Sequence, residues 1–174
     1  MSFYQKVAEV GSKFIPRHKL FQHGFNLSPM YRRSTGRIIY VEENLMRIRV
    51  KLPISWKNRN YANTIFGGSM FSAVDPIPMV QLIQLLGKGY VVWDKAAQIQ
   101  FKRPAREHLY AEFVYSESEV EDIRKQVERD REVVFDKLTQ LTDKDGKTVF
   151  CEVTKTIYVA DKEYYKRKRA AKKQ

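Results

Sequence analysis

Residues Asn60 to Asp75 read NYANTIFGGSMFSAVD, and there a polar loop runs through two adjacent glycines, Gly67 and Gly68, into an apolar helix. The first N–H groups of a helix lack intrahelical acceptors and lie at the positive end of its dipole. A helix opened by glycine therefore offers bare backbone donors to a developing negative charge. Asp75 follows about two turns later, a carboxylate set among Met70, Phe71, Val74 and Ile77. Amides on one side of a carbonyl and a carboxylate on the other are the parts of a hydrolase. In that reading Asp75 is nucleophile or general base, and the Gly67 N–H, with Gly68, holds the oxyanion.

The same residues have structural readings. Asp75 precedes Pro76, and Asp-Pro is also a helix start, with Asp as N-cap and Pro at the first helical position. The apolar segment would then be two helices meeting at a kink. Asn60 either orients water or the carbonyl, or is a polar turn residue of NRNYAN; Asn63, nearer the glycines, can take its place.

Outward from this stretch, strand signals dominate. Ile38, Ile39 and Val41 form a short apolar run, and Met46, Ile48, Val50 and Leu52 alternate with Arg47, Arg49 and Lys51, one face buried. After the helix, which Gly87 and Gly89 stop, come segments 90–102, 108–116, 133–142 and 148–160. Asp143–Lys147 is a hairpin turn between the last two. Residues 118–127 form a small helix, with Ser118 and Glu121 spaced as a capping box. Residues 3–22 carry Phe3, Val7, Val10, Phe14 and Ile15 at helical spacing, broken at Pro16. The expected class is α+β, a curled antiparallel sheet wrapped around a central apolar helix. Residues 1–35 are a helical extension, 36–160 the main domain and 161–174 a basic tail. A sheet covered on one face leaves an edge to be satisfied, and self-association is the natural answer.

Composition narrows the chemistry. No apolar run reaches the roughly 18 residues of a membrane span, because Pro76, Pro78 and Gln81 interrupt the best one. No signal peptide is evident, and a cytoplasmic protein is expected. The single cysteine, Cys151, excludes an internal disulfide and reads as a small core residue. His18, His23 and His108 have no ligand spacing, so no metal site is expected. The net charge of +12 is uneven: residues 1–37 carry +6 and residues 161–174 carry +5, leaving the body nearly neutral. Lys166–Arg169 with Lys172 and Lys173 reads as a solvated, helical tail, and contact with nucleic acid or anionic lipid is the less favoured alternative.

The element order and the motif resemble the hotdog fold, and within it the phenylacetyl-CoA thioesterase-like branch. That branch has an Asn, then Gly-Thr, then His-Gly-Gly opening the helix, with an acid two turns on. Asn60, Thr64, Gly67-Gly68 and Asp75 fall at those positions. Pro104-Ala105 matches the Pro-Ala ending the family's third strand. Phe66 stands where the family has His, and Asn63 where it has Gly, a variant similar to an uncharacterised thioesterase subgroup. The resemblance implies hydrolysis of an acyl-CoA or acyl-carrier-protein thioester at a homodimer interface, with dimers pairing into tetramers. Coenzyme A would enter only as part of the substrate, with no separate cofactor.

Around that site, Thr64 and Phe66 are candidate substrate contacts. Asp94 either borders the cleft across the dimer or pairs with Lys95 or Arg103. Lys102, Arg103 and Arg106 could meet the phosphates of coenzyme A. A silent acyl-binding or scaffold protein of the same fold is the alternative from another class. Dehydratase chemistry is disfavoured, since no His lies in the motif.

Overall fold

The computed structural model describes residues 15–171. Most of the Phe3–Ile15 stripe therefore lies outside the described residues. Pro16 caps helix α1 (Arg17–Leu27), and Ser28 separates it from α2 (Pro29–Arg33), which starts with proline where a missing N–H costs nothing. Strands β1 (Arg37–Val41) and β2 (Arg47–Leu52) follow. Ile48, Val50 and Leu52 are fully buried while Arg47 and Arg49 are exposed, as the alternation predicts.

The apolar segment is two helices, α3 (Gly67–Val74) and α4 (Ile77–Leu86), broken at Asp75-Pro76. Together Gly67–Leu86 has the length and hydropathy of a membrane span. Here the break and the sheet divide that surface instead, with Met70, Ala73, Val74, Ile77 and Leu82 each at most 3% exposed. Gly87 ends α4 with φ +89°, a conformation that costs glycine little. Then come β3 (Tyr90–Phe101), β4 (Leu109–Val114), α5 (Glu117–Asp130), β5 (Glu132–Thr142), β6 (Val149–Asp161) and α6 (Lys162–Ala171).

All six strands form one antiparallel sheet in the order β1-β2-β4-β5-β6-β3. The β4–β5 step is joined by a single registered pair, Tyr110 with Thr142. One apolar cluster gathers α3 with β1, β2 and β4; a second gathers α4, α5 and the ends of β3 and β6. Cys151 is fully buried in the first, and burial pushes its thiol up to about 11. Gln81 is also fully buried; its side-chain amide donates to Leu45 O at 2.8 Å and Met46 O at 3.1 Å, holding the β1–β2 turn on α4.

Two local expectations are corrected. The cap of α5 is Ser116, whose Oγ accepts from Glu119 N at 3.1 Å, so the box sits two residues earlier than the Ser118–Glu121 spacing suggested. The tail is helical but not simply solvated: Lys168 folds back onto Glu132, which also accepts from Tyr158 Oη. Ser116→Ala should cost about 1 kcal/mol in urea unfolding, and Ser118→Ala less than about 0.5 kcal/mol. The reverse order would return the cap to Ser118.

Candidate functional site

Two hydrogen bonds fix the start of α3. Ile65 N donates to Ala105 O and Phe66 N to Asn58 O, both at 2.8 Å, which anchor the loop before the helix begins. Asn58 is 3% exposed, and its side chain accepts from Ser55 N and donates to Pro53 O and Thr35 Oγ1. Phe66 occupies the N-cap without any side-chain cap bond. Helical bonding begins with Ser69 N and Met70 N on Phe66 O. The Gly67 and Gly68 amides have no acceptor among the described residues, so they are the free donors that the glycine pair implied.

Aromatic rings lie close over both glycines, so a side chain at either would have to displace one. A Cβ on Gly67 would lie 2.6 Å from the Phe101 ring, and one on Gly68 would lie 2.3 Å from the Phe66 ring. Phe66 and Phe101 are each 57% exposed, so these rings stand at the surface beside the free amides.

Asp75 ends α3, its N–H bonded to Phe71 O at 2.9 Å. It does not cap α4, whose N-cap position is Pro76 with no side-chain cap bond. The two-helix reading of this segment is right, but the carboxylate is turned to the sheet. Its Oδ1 accepts a short hydrogen bond from Lys155 Nζ, which also reaches Asp94 Oδ2 at 2.9 Å. The Lys155 side chain is 4% exposed, against 39% for Asp75 and 21% for Asp94. The Phe71 ring centroid lies 5.6 Å from the same Nζ. Asp94 therefore pairs with Lys155 on the adjacent strand β6, not with Lys95 or Arg103. Its other oxygen is buried with no donor among the described residues.

The electrostatics follow from burial. Desolvation lifts the Asp94 carboxyl above its usual 3.8, with the bond and charge of Lys155 opposing and nearby Asp75 adding. Burial pulls the Lys155 ammonium down, but hydrogen bonds and charge from the two carboxylates outweigh it and leave it above 10.5.

The remaining candidates separate from this triad. Asn60 is engaged inside its own loop: its Oδ1 accepts from Ala62 N at 2.9 Å and Thr64 N at 3.1 Å, and its Nδ2 donates to Thr64 Oγ1 at 2.9 Å. Asn63 takes φ +59°, the left-handed turn position that Asn tolerates. Thr64 is buried beneath them. Lys102 is held by Gln100 and by Glu152 at 2.9 Å, while Arg103 and Arg106 are exposed. Two concavities, of about 660 Å³ beside α1 and about 390 Å³ beside α2, include neither Asp75 nor Gly67.

Lys155 was overlooked in the sequence, although its signal is there. Cys151, Val153, Ile157 and Val159 occupy the inward phase of β6, and Lys155 is the one charge among them. A lysine there must be met by carboxylates from facing elements.

Residues 17–159 match one protein family. The chain belongs to the family described as Domain of unknown function (DUF4442). None of the curated proteins compared with it matches the sequence. Among solved structures it is similar to a Pseudomonas aeruginosa protein described as a probable thioesterase, at 18% identity and TM-score 0.72, covering 82% of this chain and 95% of that one. It is similar to a Haemophilus influenzae thioesterase at 12% identity and TM-score 0.58, covering 83% and 90%. It also resembles zebra fish thioesterase superfamily member 2 at 13% identity and TM-score 0.54, covering 81% and 94%. The likeness shows the fold: this chain has the hotdog fold.

Removing Lys155 tests the triad. Breaking a buried ion pair by deleting one partner costs about 3–5 kcal/mol; the partial exposure of both carboxylates reduces this to about 1–3 kcal/mol for Lys155→Met at neutral pH. The raised ammonium contributes stability that is complete below 10.5 and lost as pH climbs through the higher folded value. As pH falls through the raised Asp94 value, that carboxyl takes up its proton, which relieves the repulsion left in the variant. The melting-temperature gap between wild type and variant should therefore be widest near neutrality and narrow at both extremes. A gap that is constant with pH would contradict the ion triad.

Proposed function

We propose that the chain hydrolyses an acyl thioester of coenzyme A or of a carrier protein, at two equivalent sites of a homodimer. The observation that carries this reading is the pinned, half-exposed Asp75 carboxylate on a helix whose other end presents free glycine amides. Eight residues at about 1.5 Å each put about 12 Å between them. Both groups must come within about 3 Å of one reacting carbonyl, so they cannot serve it from the same protomer.

The edge strand supplies a geometry that unites them. In the sheet β3 pairs only with β6, and its Ala96, Ala97 and Gln98 are small or polar and exposed. Gly67 packs under Phe101 at one end of β3, and Asp75 meets Asp94 through Lys155 at the other. Antiparallel pairing of β3 with its copy, centred between Ala97 and Gln98, sets each Phe101 beside the partner copy's Asp94 region. That symmetry brings the glycine amides of one protomer to the carboxylate of the other. The exposed Phe66, Trp93 and Phe101 are then covered.

In the reaction, Asp75 accepts a proton from water as the water oxygen bonds to the thioester carbon. The carbonyl oxygen takes the negative charge and is held by the Gly67 N–H. Collapse breaks the C–S bond; the thiolate leaves and recovers the proton, giving acid and thiol. Lys155 acts as a positioning residue, keeping Asp75 aimed, and Asp94 holds Lys155 in turn. A second reading is favoured by that same ion pair: a carboxylate oxygen already occupied by Lys155 is not open to a water, as suits a silent acyl-thioester-binding protein.

Asp75→Asn should lower kcat for acyl-CoA hydrolysis by about 10²–10⁴ with substrate binding retained. Gly67→Leu should remove activity by blocking the amide. Mixing these two inactive variants and allowing protomers to exchange should restore about one quarter of wild-type activity, since each heterodimer then holds one intact site. Unchanged turnover in Asp75→Asn would remove the carboxylate from the chemistry, and failed restoration would remove the shared site. Tight acyl-CoA binding without turnover would establish the silent reading.

A further inference from the structure

The concavity of about 390 Å³ beside α2 is lined by Arg32, Arg33, Arg37 and Lys57, with the hydroxyl residues Thr35 and Ser55. No acidic residue lines it, and among the described residues none of the four cations has a carboxylate partner. Arg37 donates only to Gly36 O at 2.8 Å, and Lys57 lies over its neighbour Trp56. Several cations elsewhere on this protein do have acids: Lys102 has Glu152, Lys137 has Glu119 and Lys168 has Glu132. Arg32 and Arg33 end a helix, where the dipole welcomes positive charge. That does not account for Arg37 from β1 or Lys57 from the loop after β2.

Two further observations mark the place as built. Arg37 stands directly opposite Lys51 in the β1–β2 ladder, and like charges so placed repel. Thr35 is a β-branched residue at φ +65°, a strained conformation of the kind that gathers at ligand clamps. It is held there by Asn58 Nδ2, which donates to Thr35 Oγ1 at 2.8 Å, and by its own bond to Ser34 O at 2.6 Å. The same Asn58 accepts from Phe66 N, so one buried residue ties the basic concavity to the start of α3.

We propose that this concavity is a binding site for a phosphoryl group. Guanidinium forks and an ammonium converging without a competing acid are the chemistry that recognises a phosphate dianion or a diphosphate. The group has two sources, a free inorganic anion or the phosphorylated nucleotide end of the thioester's own carrier. Only the second rests on the hydrolase reading; the site itself rests on its charges and needs no turnover.

The test is calorimetric titration of the full chain with inorganic phosphate, pyrophosphate, coenzyme A and dephospho-coenzyme A. It compares wild type, the pocket variant Arg33→Gln/Arg37→Gln/Lys57→Gln, and the equally neutralised control Lys125→Gln/Lys144→Gln/Lys147→Gln. All six positions are exposed, so circular dichroism should report intact folds. At least one phosphate-bearing probe should bind wild type, weaken about tenfold or more in the pocket variant, and remain unchanged in the control. Affinity should fall steeply between about 50 and 200 mM salt. Coenzyme A binding well above dephospho-coenzyme A, and displaced by pyrophosphate, would support the site with the carrier's 3′-phosphate as its source. Pyrophosphate or phosphate bound at least as tightly as coenzyme A would support it with a free anion as the source. Absence of binding by every probe, or equal weakening in pocket and control variants, would overturn the proposal. Thioester hydrolysis lost with probe binding intact would strike the hydrolase reading and leave this site standing.

Discussion

A lysine on the inner face of a strand holds the candidate site together. Burying an ammonium is costly unless carboxylates meet it, and Lys155 draws one from the kink between the central helices and one from the edge strand. The contact fixes which way Asp75 turns. Without it the carboxylate would be free to cap α4 or to face solvent; with it, the end of α3 is locked to the sheet. Asp94 shows what the arrangement costs, since one of its oxygens is buried with no donor among the described residues and its carboxyl is held above the ordinary value.

The distances set by a helix then decide where chemistry is feasible. The free amides and the carboxylate lie at opposite ends of α3, and neither described concavity adjoins them. A single protomer does not bring the two groups together. In the proposed reading, antiparallel pairing of the free β3 edge with a copy of itself would bring the Phe101 end of one strand to the Asp94 region of the other, and so unite the two groups.

Much of the architecture was legible in the residues. Period-two alternation marked β2, the Asp143–Lys147 turn joined the last two strands into a hairpin, and the apolar stretch after Gly67-Gly68 marked the central helix, with Asp75-Pro76 as its candidate break. The site was half legible. Glycine pairs and a lone aspartate announce themselves in a linear sequence, whereas the partner of Asp75 lies 80 residues away and becomes a neighbour only when β6 passes under α3. The breach of alternation at Lys155 was visible; what it paired with required the fold. Cap position failed for a local reason, because Ser116 and Ser118 both precede a glutamate at box spacing and the turn geometry chooses between them. The Asn60 loop was ambiguous because one Asn side chain can serve either a turn or a ligand, and here it spends its bonds on Ala62 and Thr64.

The most direct measurement is a crystal structure of the dimer with a non-hydrolysable acyl-CoA analogue, a thioether ketone with the carbonyl retained. The account requires the carbonyl oxygen to accept from the Gly67 N–H of one protomer at about 3 Å, with the carbonyl carbon facing the Asp75 carboxylate of the other, still bonded to Lys155. A carbonyl bound away from both groups, or reached by an Asp75 and a Gly67 of the same chain, would contradict it.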